Sequence, residues 1–213
     1  MGGTFDPVHF GHLRPALELC EALGFERVCF IPNRVPVHRE QPVASLEKRV
    51  HWLQSAVEGV TQFVVDLREV ERESPSWMVV TLESLSAEFP GRPLSLILGM
   101  DAFLQIESWH RWQELLDHAH IVVTHRPGFQ TPGEGEIGKL LQGRKSERIE
   151  ELHQTPATIG GGRIFFHPVT PLDISSTGIR AVVGRGGDPR FLLPDSIRED
   201  VIECYQVNHK ECN

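Results

Sequence analysis

Residues 2–12 have the sequence GGTFDPVHFGH, a glycine-rich turn that opens directly into a helical pattern. Gly2 and Gly3 allow a backbone to approach a phosphate closely, and the first amides of a helix point toward a bound anion. His9 and His12 are three residues apart, so on a helix they share one face. We interpret them as hydrogen-bond donors to phosphate oxygens. The alternative is that His9 caps the helix and His12 only packs.

Beyond this turn, short apolar strands alternate with helices along the whole chain. Strands are predicted at 26–32, 62–66, 94–99, 120–127 and 163–169, and helices at 11–23, 46–57, 77–88, 101–119, 137–152, 176–183 and 195–206. This alternation predicts one α/β domain over residues 1–213, a doubly wound Rossmann-like parallel sheet with helices on both faces. In such sheets ligands bind at the carboxyl ends of the strands.

The start of the chain departs from this pattern, because a phosphate loop needs a strand to precede it. Met1 stands immediately before Gly2, so no apolar strand is present in the sequence there. We therefore expect the first strand of the sheet to be missing from this chain, and we interpret Met1 as a misassigned start.

A second phosphate-type segment is LDISSTGIR at residues 172–180, directly after a predicted strand. Ser175 or Ser176 is a natural N-cap, and Arg180 lies four residues after Ser176 on the same helix face. Hydroxyls, helix amides and a guanidinium together suit a diphosphate or triphosphate. The alternative is a capped surface helix with a solvated arginine. A second loop of this kind at a strand end favours phosphate binding.

The third segment is ILGMDAFLQIESWHRW at residues 97–112. Asp101 follows a predicted strand by two residues, where a carboxylate can accept from a ribose hydroxyl. Trp109 can stack on a flat ligand ring, whereas Trp112 fits the core equally well. Arg126 lies at the end of the next predicted strand and either contacts a phosphate or simply ends that strand.

Charge and composition exclude several classes of protein. The net charge of −8 argues against a nucleic-acid or anionic-membrane surface, which needs clustered Lys and Arg. No apolar run approaches the ~20 residues of a membrane span. The four cysteines form no CxxC pair, and His9 and His12 lack a third ligand at zinc spacing. These features predict a cytoplasmic enzyme or binding domain.

The elements HxGH, here His9 to His12, and ISSTxIR, here Ile174 to Arg180, identify a resemblance that covers essentially the whole chain. The sequence resembles the bacterial nicotinate-nucleotide adenylyltransferases of the nucleotidylyltransferase superfamily. The resemblance implies transfer of the adenylyl group of ATP to nicotinate mononucleotide in NAD biosynthesis. The products would be deamido-NAD and pyrophosphate, and Mg²⁺ would assist.

The resemblance also implies residue roles. His9, His12 and Arg180 would be catalytic, with no metal held by the protein itself. ATP would be bound by Gly3, Thr4, Phe5, His9, His12, Ser176, Thr177 and Arg180. Nicotinate mononucleotide would be bound by Thr4, Ser76, Trp77, Asp101, Trp109 and Arg126, with backbone amides around 76–78 at its carboxylate.

Several alternative functions compete with this interpretation. Within enzymes they are adenylyl transfer to nicotinamide mononucleotide or to phosphopantetheine. From other classes they are a non-catalytic nucleotide-binding module on the same fold and a metal hydrolase that uses His9 and His12. The intact phosphate-type motifs argue against the non-catalytic module.

Overall fold

The computed structural model describes residues 1–34, 41–125 and 133–207. The strands in these ranges are β1 (Gly2–Gly3), β2 (Val28–Pro32), β3 (Phe63–Val65), β4 (Ser95–Gly99), β5 (His120–His125) and β6 (Ile164–Pro168). The helices are α1 (Phe10–Leu23), α2 (Leu46–Val57), α3 (Arg68–Glu71), α4 (Met78–Glu88), α5 (Met100–Leu104), α6 (Leu115–His118), α7 (Gly135–Arg144), α8 (Ile149–Leu152), α9 (Ser176–Gly184) and α10 (Asp195–Val207).

These elements form two compact units. The first unit comprises Gly2–Pro75 and Leu172–Asn213, and the second comprises Ser76–Pro171 with Met1. Both phosphate-type motifs therefore fall in the first unit, and the 97–112 segment falls in the second. That residues 1–213 form a single domain stays a prediction.

The first unit contains a parallel sheet in the order β1-β2-β3. The central strand β2 is apolar, and its Phe30 side chain is fully buried, as the sequence pattern predicts. The prediction that the first strand is missing is corrected, because two residues of it are present. Gly2 pairs with Ile31, and Gly3 pairs with Pro32. Backbone pairing needs no side chain, so two glycines suffice for this short strand.

The sequence places a glycine, a typical helix stop, after the predicted helix at 11–23 and a serine, a typical N-cap, before the predicted helix at 46–57, and the structure uses both in this way. Gly24 ends α1 with a φ of 66°, a left-handed conformation that glycine adopts without steric cost. Ser45 caps α2, its side chain accepting from the Lys48 amide at 3.3 Å. Near the end of the chain, α10 packs against α9 and α2.

The second unit contains a parallel sheet in the order β4-β5-β6, and the buried strand β5 lies at its centre. Its register pairs Leu98 with Val123, and Val123 in turn with Phe166. All strand pairs in both sheets are parallel and alternate with helices, so the α/β prediction is confirmed. None of the helices in the described ranges is long and apolar enough to cross a membrane.

Two helices predicted in the second unit are interrupted. Between α5 and α6 the chain forms two 3-10 turns, Ile106–Ser108 and Trp112–Glu114, because Arg111 adopts a left-handed φ of 52° between them. The predicted helix at 137–152 breaks after α7, where the Ser146 amide donates to the Ile164 carbonyl of β6 instead of continuing the helix. The short helix α3 is not predicted by the sequence.

Candidate active site

The two motif histidines form a stacked pair at the start of α1. Their ring centroids are 3.8 Å apart, with an interplanar angle of 29°. His9 occupies the N-cap position in an extended conformation, but its side chain makes no capping hydrogen bond. The alternative of a capping His9 is therefore wrong. The His12 ring also contacts the edge of Phe5, at a centroid distance of 5.2 Å.

His9 is neutral at pH 7. The residue is only 4% exposed, and this burial lowers its pKa to about 4. Its Nδ1 atom is buried and has no hydrogen-bond partner among the described residues. A buried polar nitrogen without a partner costs free energy, so this atom is well suited to a ligand.

The amides that open α1 are largely used within the protein. The Phe10 amide donates to the Leu192 carbonyl at 3.1 Å. The amides of His12 and Leu13 both donate to the His9 carbonyl. The prediction that the first amides of this helix receive an anion is therefore corrected for these three amides.

Two glycines of the motif create room for neighbouring groups. A Cβ on Gly3 would lie 2.9 Å from the tip of the Phe5 ring, so this glycine leaves room for Phe5. Phe5 is itself buried and has a positive φ of 51°. A Cβ on Gly11 would lie 2.9 Å from both the His9 ring and the Ile174 carbonyl oxygen. Gly11 therefore permits close contact between the two motifs.

Hydrogen bonds join the second motif to the first. The Ser176 hydroxyl donates to the Pro7 carbonyl at 2.9 Å. The Arg180 guanidinium donates through Nη1 to the Asp6 carbonyl at 2.6 Å and through Nη2 to the Thr177 hydroxyl at 3.2 Å. The Arg180 side chain is only 28% exposed, which argues against the solvated surface helix.

The cap of α9 follows the sequence prediction. The Ser175 side chain accepts from the Gly178 amide at 3.1 Å. This leaves Ser176, the other candidate cap, to contact the first motif. The Ser176 hydroxyl proton is thus already donated to protein, whereas the Thr177 hydroxyl accepts from Arg180 and keeps its own proton for another acceptor.

Sequence reasoning missed the buried carboxylate of Asp6, which is 4% exposed. Asp6 accepts from the Val43 amide at 2.9 Å, the Ala44 amide at 3.1 Å and the Tyr205 hydroxyl at 2.7 Å. Burial and the nearby Asp6 charge raise the pKa of Tyr205. The position of Asp6 within the first motif was a signal for its importance, but nothing in the sequence indicated Tyr205.

Sequence reasoning also missed Arg49 on α2, which is 1% exposed. Its Nη1 donates to the Thr4 carbonyl at 2.7 Å and to the Asn33 carbonyl at 3.0 Å. Burial lowers the pKa of Arg49. The guanidinium therefore fastens the loop after β1 to the loop after β2. An arginine on an amphipathic helix normally lies in solvent, so spacing gave no signal here.

The second unit contains the other predicted residues. Asp101 is exposed in the first turn of α5, and a Cβ on Gly99 would lie 2.8 Å from its carboxylate. Trp109 is half-buried and follows the first 3-10 turn. Trp77 stacks on His110 with ring centroids 4.1 Å apart. These side chains provide a carboxylate and aromatic surfaces within one unit.

The sequence also singled out Ser76, Trp112 and Arg126. Ser76 is half-buried and directly precedes Trp77. Trp112, which fits the core equally well by sequence, is also half-buried. Arg126 lies outside the described residues. Within the described residues, no three His, Cys, Asp or Glu side chains form a cluster that could hold a metal ion.

Comparison with known proteins places this chain in a family. A cytidylyltransferase-like family model matches residues 1–182. A probable nicotinate-nucleotide adenylyltransferase of Aeromonas hydrophila is 45% identical over 199 residues, which cover 93% of this chain and 91% of the relative. A protein of the same name from Halorhodospira halophila is 43% identical over 203 residues, covering 95% and 91%.

Solved structures show the same fold. The nicotinic acid mononucleotide adenylyltransferase of Plasmodium falciparum, in complex with NaAD, aligns with a TM-score of 0.67 and 16% identity, covering 100% of this chain and 96% of that one. A Vibrio parahaemolyticus structure described as a putative nicotinate-nucleotide adenylyltransferase aligns with a TM-score of 0.60 and 14% identity, covering 94% and 95%. The length and identity of the sequence matches, on a shared Rossmann-like fold, show that this chain belongs to the nicotinate-nucleotide adenylyltransferase family.

Proposed function

We propose that this chain transfers the adenylyl group of ATP to the phosphate of nicotinate mononucleotide, for NAD biosynthesis. An oxygen of the mononucleotide phosphate attacks the α-phosphorus of ATP and forms the new P–O bond. The bond to the β-phosphate breaks, and pyrophosphate leaves with the electron pair. The observation that carries this proposal is the joining of the two phosphate-type motifs by the Ser176–Pro7 and Arg180–Asp6 hydrogen bonds.

On the ATP side, catalysis consists of positioning and charge stabilisation, because no nucleophile from the protein is needed. His9 and His12 donate hydrogen bonds to oxygens of the α- and β-phosphates. Arg180 and Thr177 bind the β- and γ-phosphates. The support is the buried Nδ1 of His9, which has no partner among the described residues, and the Thr177 hydroxyl proton. Gly3, Phe5 and Ser176 shape this loop, and the Thr4 backbone contacts both nucleotides.

On the acceptor side, the proposed residues supply an aromatic face and a carboxylate. Trp109 stacks on the pyridine ring, and Asp101 accepts from the ribose hydroxyls. Backbone amides around Ser76 and Trp77 donate to the nicotinate carboxylate, which attracts amides more strongly than a carboxamide does. Arg126 contributes positive charge at the acceptor phosphate. The names of the relatives support this acceptor.

We also propose that Mg²⁺ binds together with ATP. The side chains of the two motifs are mainly hydrogen-bond donors, and the Asp6 carboxylate is already engaged by two amides and a hydroxyl. This donor set suits phosphate rather than a cation, so we assign no residue of this chain as a metal ligand. Mg²⁺ commonly binds through substrate phosphates and water, where it neutralises charge. We also place the reaction in the cytoplasm, in keeping with the buried free thiol of Cys20.

Pyrophosphate release tests the proposal directly. The chain is supplied with ATP, Mg²⁺ and either nicotinate or nicotinamide mononucleotide. We expect release with the acid and a clear preference over the amide. His12→Ala should lower the rate on the order of 10²-fold or more, since it removes a donor to the reacting phosphates. His51→Ala is the matched control, because His51 is exposed on α2. Equal use of both acceptors, or an undiminished rate for His12→Ala, would contradict the proposal.

A further inference from the structure

Tyr205 is buried on α10, outside both motifs, yet it contacts the first of them. It is 3% exposed, and its hydroxyl donates to Asp6 Oδ1 at 2.7 Å. Its ring lies against Trp52 with centroids 5.8 Å apart. The ring therefore packs in the core, while the hydroxyl reaches the loop that carries the histidines. These two roles can be separated by removing only the hydroxyl.

The Asp6 carboxylate is held on both of its oxygens. Oδ1 accepts from the Tyr205 hydroxyl and the Ala44 amide, and Oδ2 accepts from the Val43 amide. Arg180 Nη1 lies 3.6 Å from Oδ2, close enough for an ion pair but longer than a normal hydrogen bond. The three short contacts thus fix the carboxylate in an orientation that gives Arg180 only a loose ionic contact.

This orientation matters for Arg180. Its Nη1 donates to the Asp6 backbone carbonyl, and its Nη2 donates to Thr177. If the carboxylate could rotate, it would form the closer, bidentate pair that arginine and carboxylate prefer. The guanidinium would then move toward Asp6 and away from an anionic ligand, and the carboxylate would partly neutralise its charge.

We propose that Tyr205 is a positioning residue for ATP, because it holds the Asp6 carboxylate in the orientation that keeps Arg180 available to the β- and γ-phosphates. This inference rests on the proposed function for the identity of the ligand. It extends that function to a residue of α10 outside both motifs.

Binding of ATP and AMP to Tyr205→Phe tests the inference. AMP lacks the β- and γ-phosphates, so its affinity does not depend on Arg180. We expect Tyr205→Phe to weaken ATP binding about tenfold, the effect of one hydrogen bond to a charged group, and to leave AMP binding unchanged. In turnover, KM for ATP should rise while KM for the acceptor stays the same.

Asp200→Asn is the matched control on the same helix. Asp200 accepts from the Trp52 indole N–H at 2.5 Å and is not among the hydrogen-bond partners of Asp6. This control variant should lower thermal stability without changing the ratio of the ATP and AMP affinities. In an Arg180→Ala background, Tyr205→Phe should have no further effect on ATP binding, because both changes act through the same group. Equal loss of ATP and AMP binding, or no loss of either, would overturn the proposal.

A measurement that needs no substitution uses a feature of the composition. Tyr205 is the only tyrosine in the sequence, so biosynthetic labelling with 3-fluorotyrosine places a single fluorine in the protein. We expect its ¹⁹F resonance to shift on addition of ATP and to stay in place with AMP. A resonance that does not shift on addition of ATP would refute the link between Tyr205 and ATP binding. Because these readouts require no acceptor, they can fail while acceptor-dependent pyrophosphate release succeeds, and the reverse.

Discussion

The burial of His9 predicts a pH dependence of stability with a definite sign. Its pKa is lowered from 6.5 to about 4 in the folded protein. As the pH falls, the unfolded chain therefore binds a proton at this residue before the folded protein does. The free energy of unfolding should fall between pH 6.5 and about pH 4 and level off below that, as far as His9 is concerned.

The magnitude follows from the difference between the two pKa values. A shift from 6.5 to about 4 corresponds to about 3 kcal/mol of stability that is fully present above pH 6.5. About 2 kcal/mol of it should be lost at about pH 5. His9→Gln replaces the imidazole with an amide that does not titrate and should therefore lack this loss. His120 is also buried with a lowered pKa, but it is present in both proteins and cancels in the comparison.

Urea unfolding of the wild type and His9→Gln at about pH 7.5 and about pH 5 measures this difference. We expect the wild type to lose about 2 kcal/mol more than the variant over this interval. An NMR titration of the His9 ring gives the folded-state pKa independently. Equal losses in the two proteins, together with a His9 ring that titrates near 6.5, would refute the argument from burial.

Three further predictions follow from close contacts and stacking. Gly11→Ala should lower the free energy of unfolding, measured with urea, by about 1–3 kcal/mol and reduce turnover, because the new methyl meets a backbone carbonyl. Gly143→Ala, at an open position in α7, should instead stabilise the protein slightly. Arg49→Lys should lower the free energy of unfolding by about 1–3 kcal/mol in the same assay, since one ammonium cannot replace the guanidinium at the Thr4 and Asn33 carbonyls. Unchanged stability would contradict this. Trp109→Ala should raise KM for nicotinate mononucleotide about twofold to tenfold, from the loss of stacking, and an unchanged KM would remove Trp109 from the acceptor site.

Local signals in the sequence predicted most of the secondary structure. The caps at Ser45 and Ser175 and the stop at Gly24 each depend on residues within a few positions, so spacing was sufficient. The break at Arg111 was not predicted, because a non-glycine residue with positive φ carries no sequence signal of its own. The interruption before Ser146 depends on pairing with a strand that comes later in the chain.

The candidate site shows the same division between local and long-range information. The motifs themselves were evident from sequence, as was the proximity of His9 and His12, although His9 lies just before the helix rather than on its face. The partners of Ser176 and Arg180 were not, because Pro7 and Asp6 lie about 170 positions away in the sequence. Tyr205 and Arg49 were missed for the same reason, because the role of a buried hydroxyl or guanidinium depends on the groups that it contacts.

The proposed assignment gives ATP one permanently charged donor, Arg180, and one neutral donor, His9, and the chemistry explains why this division is favourable. A cation buried as deeply as His9 would cost several kcal/mol without a partner, whereas a neutral imidazole can donate to a phosphate oxygen from the same depth. Arg180 carries a permanent charge and is more exposed, so part of its hydration survives until ATP binds. Adenylyl transfer moves no proton at the reacting oxygens, so a neutral donor loses nothing as the bond to pyrophosphate breaks. Charge then accumulates on the leaving group, on the side assigned to the guanidinium.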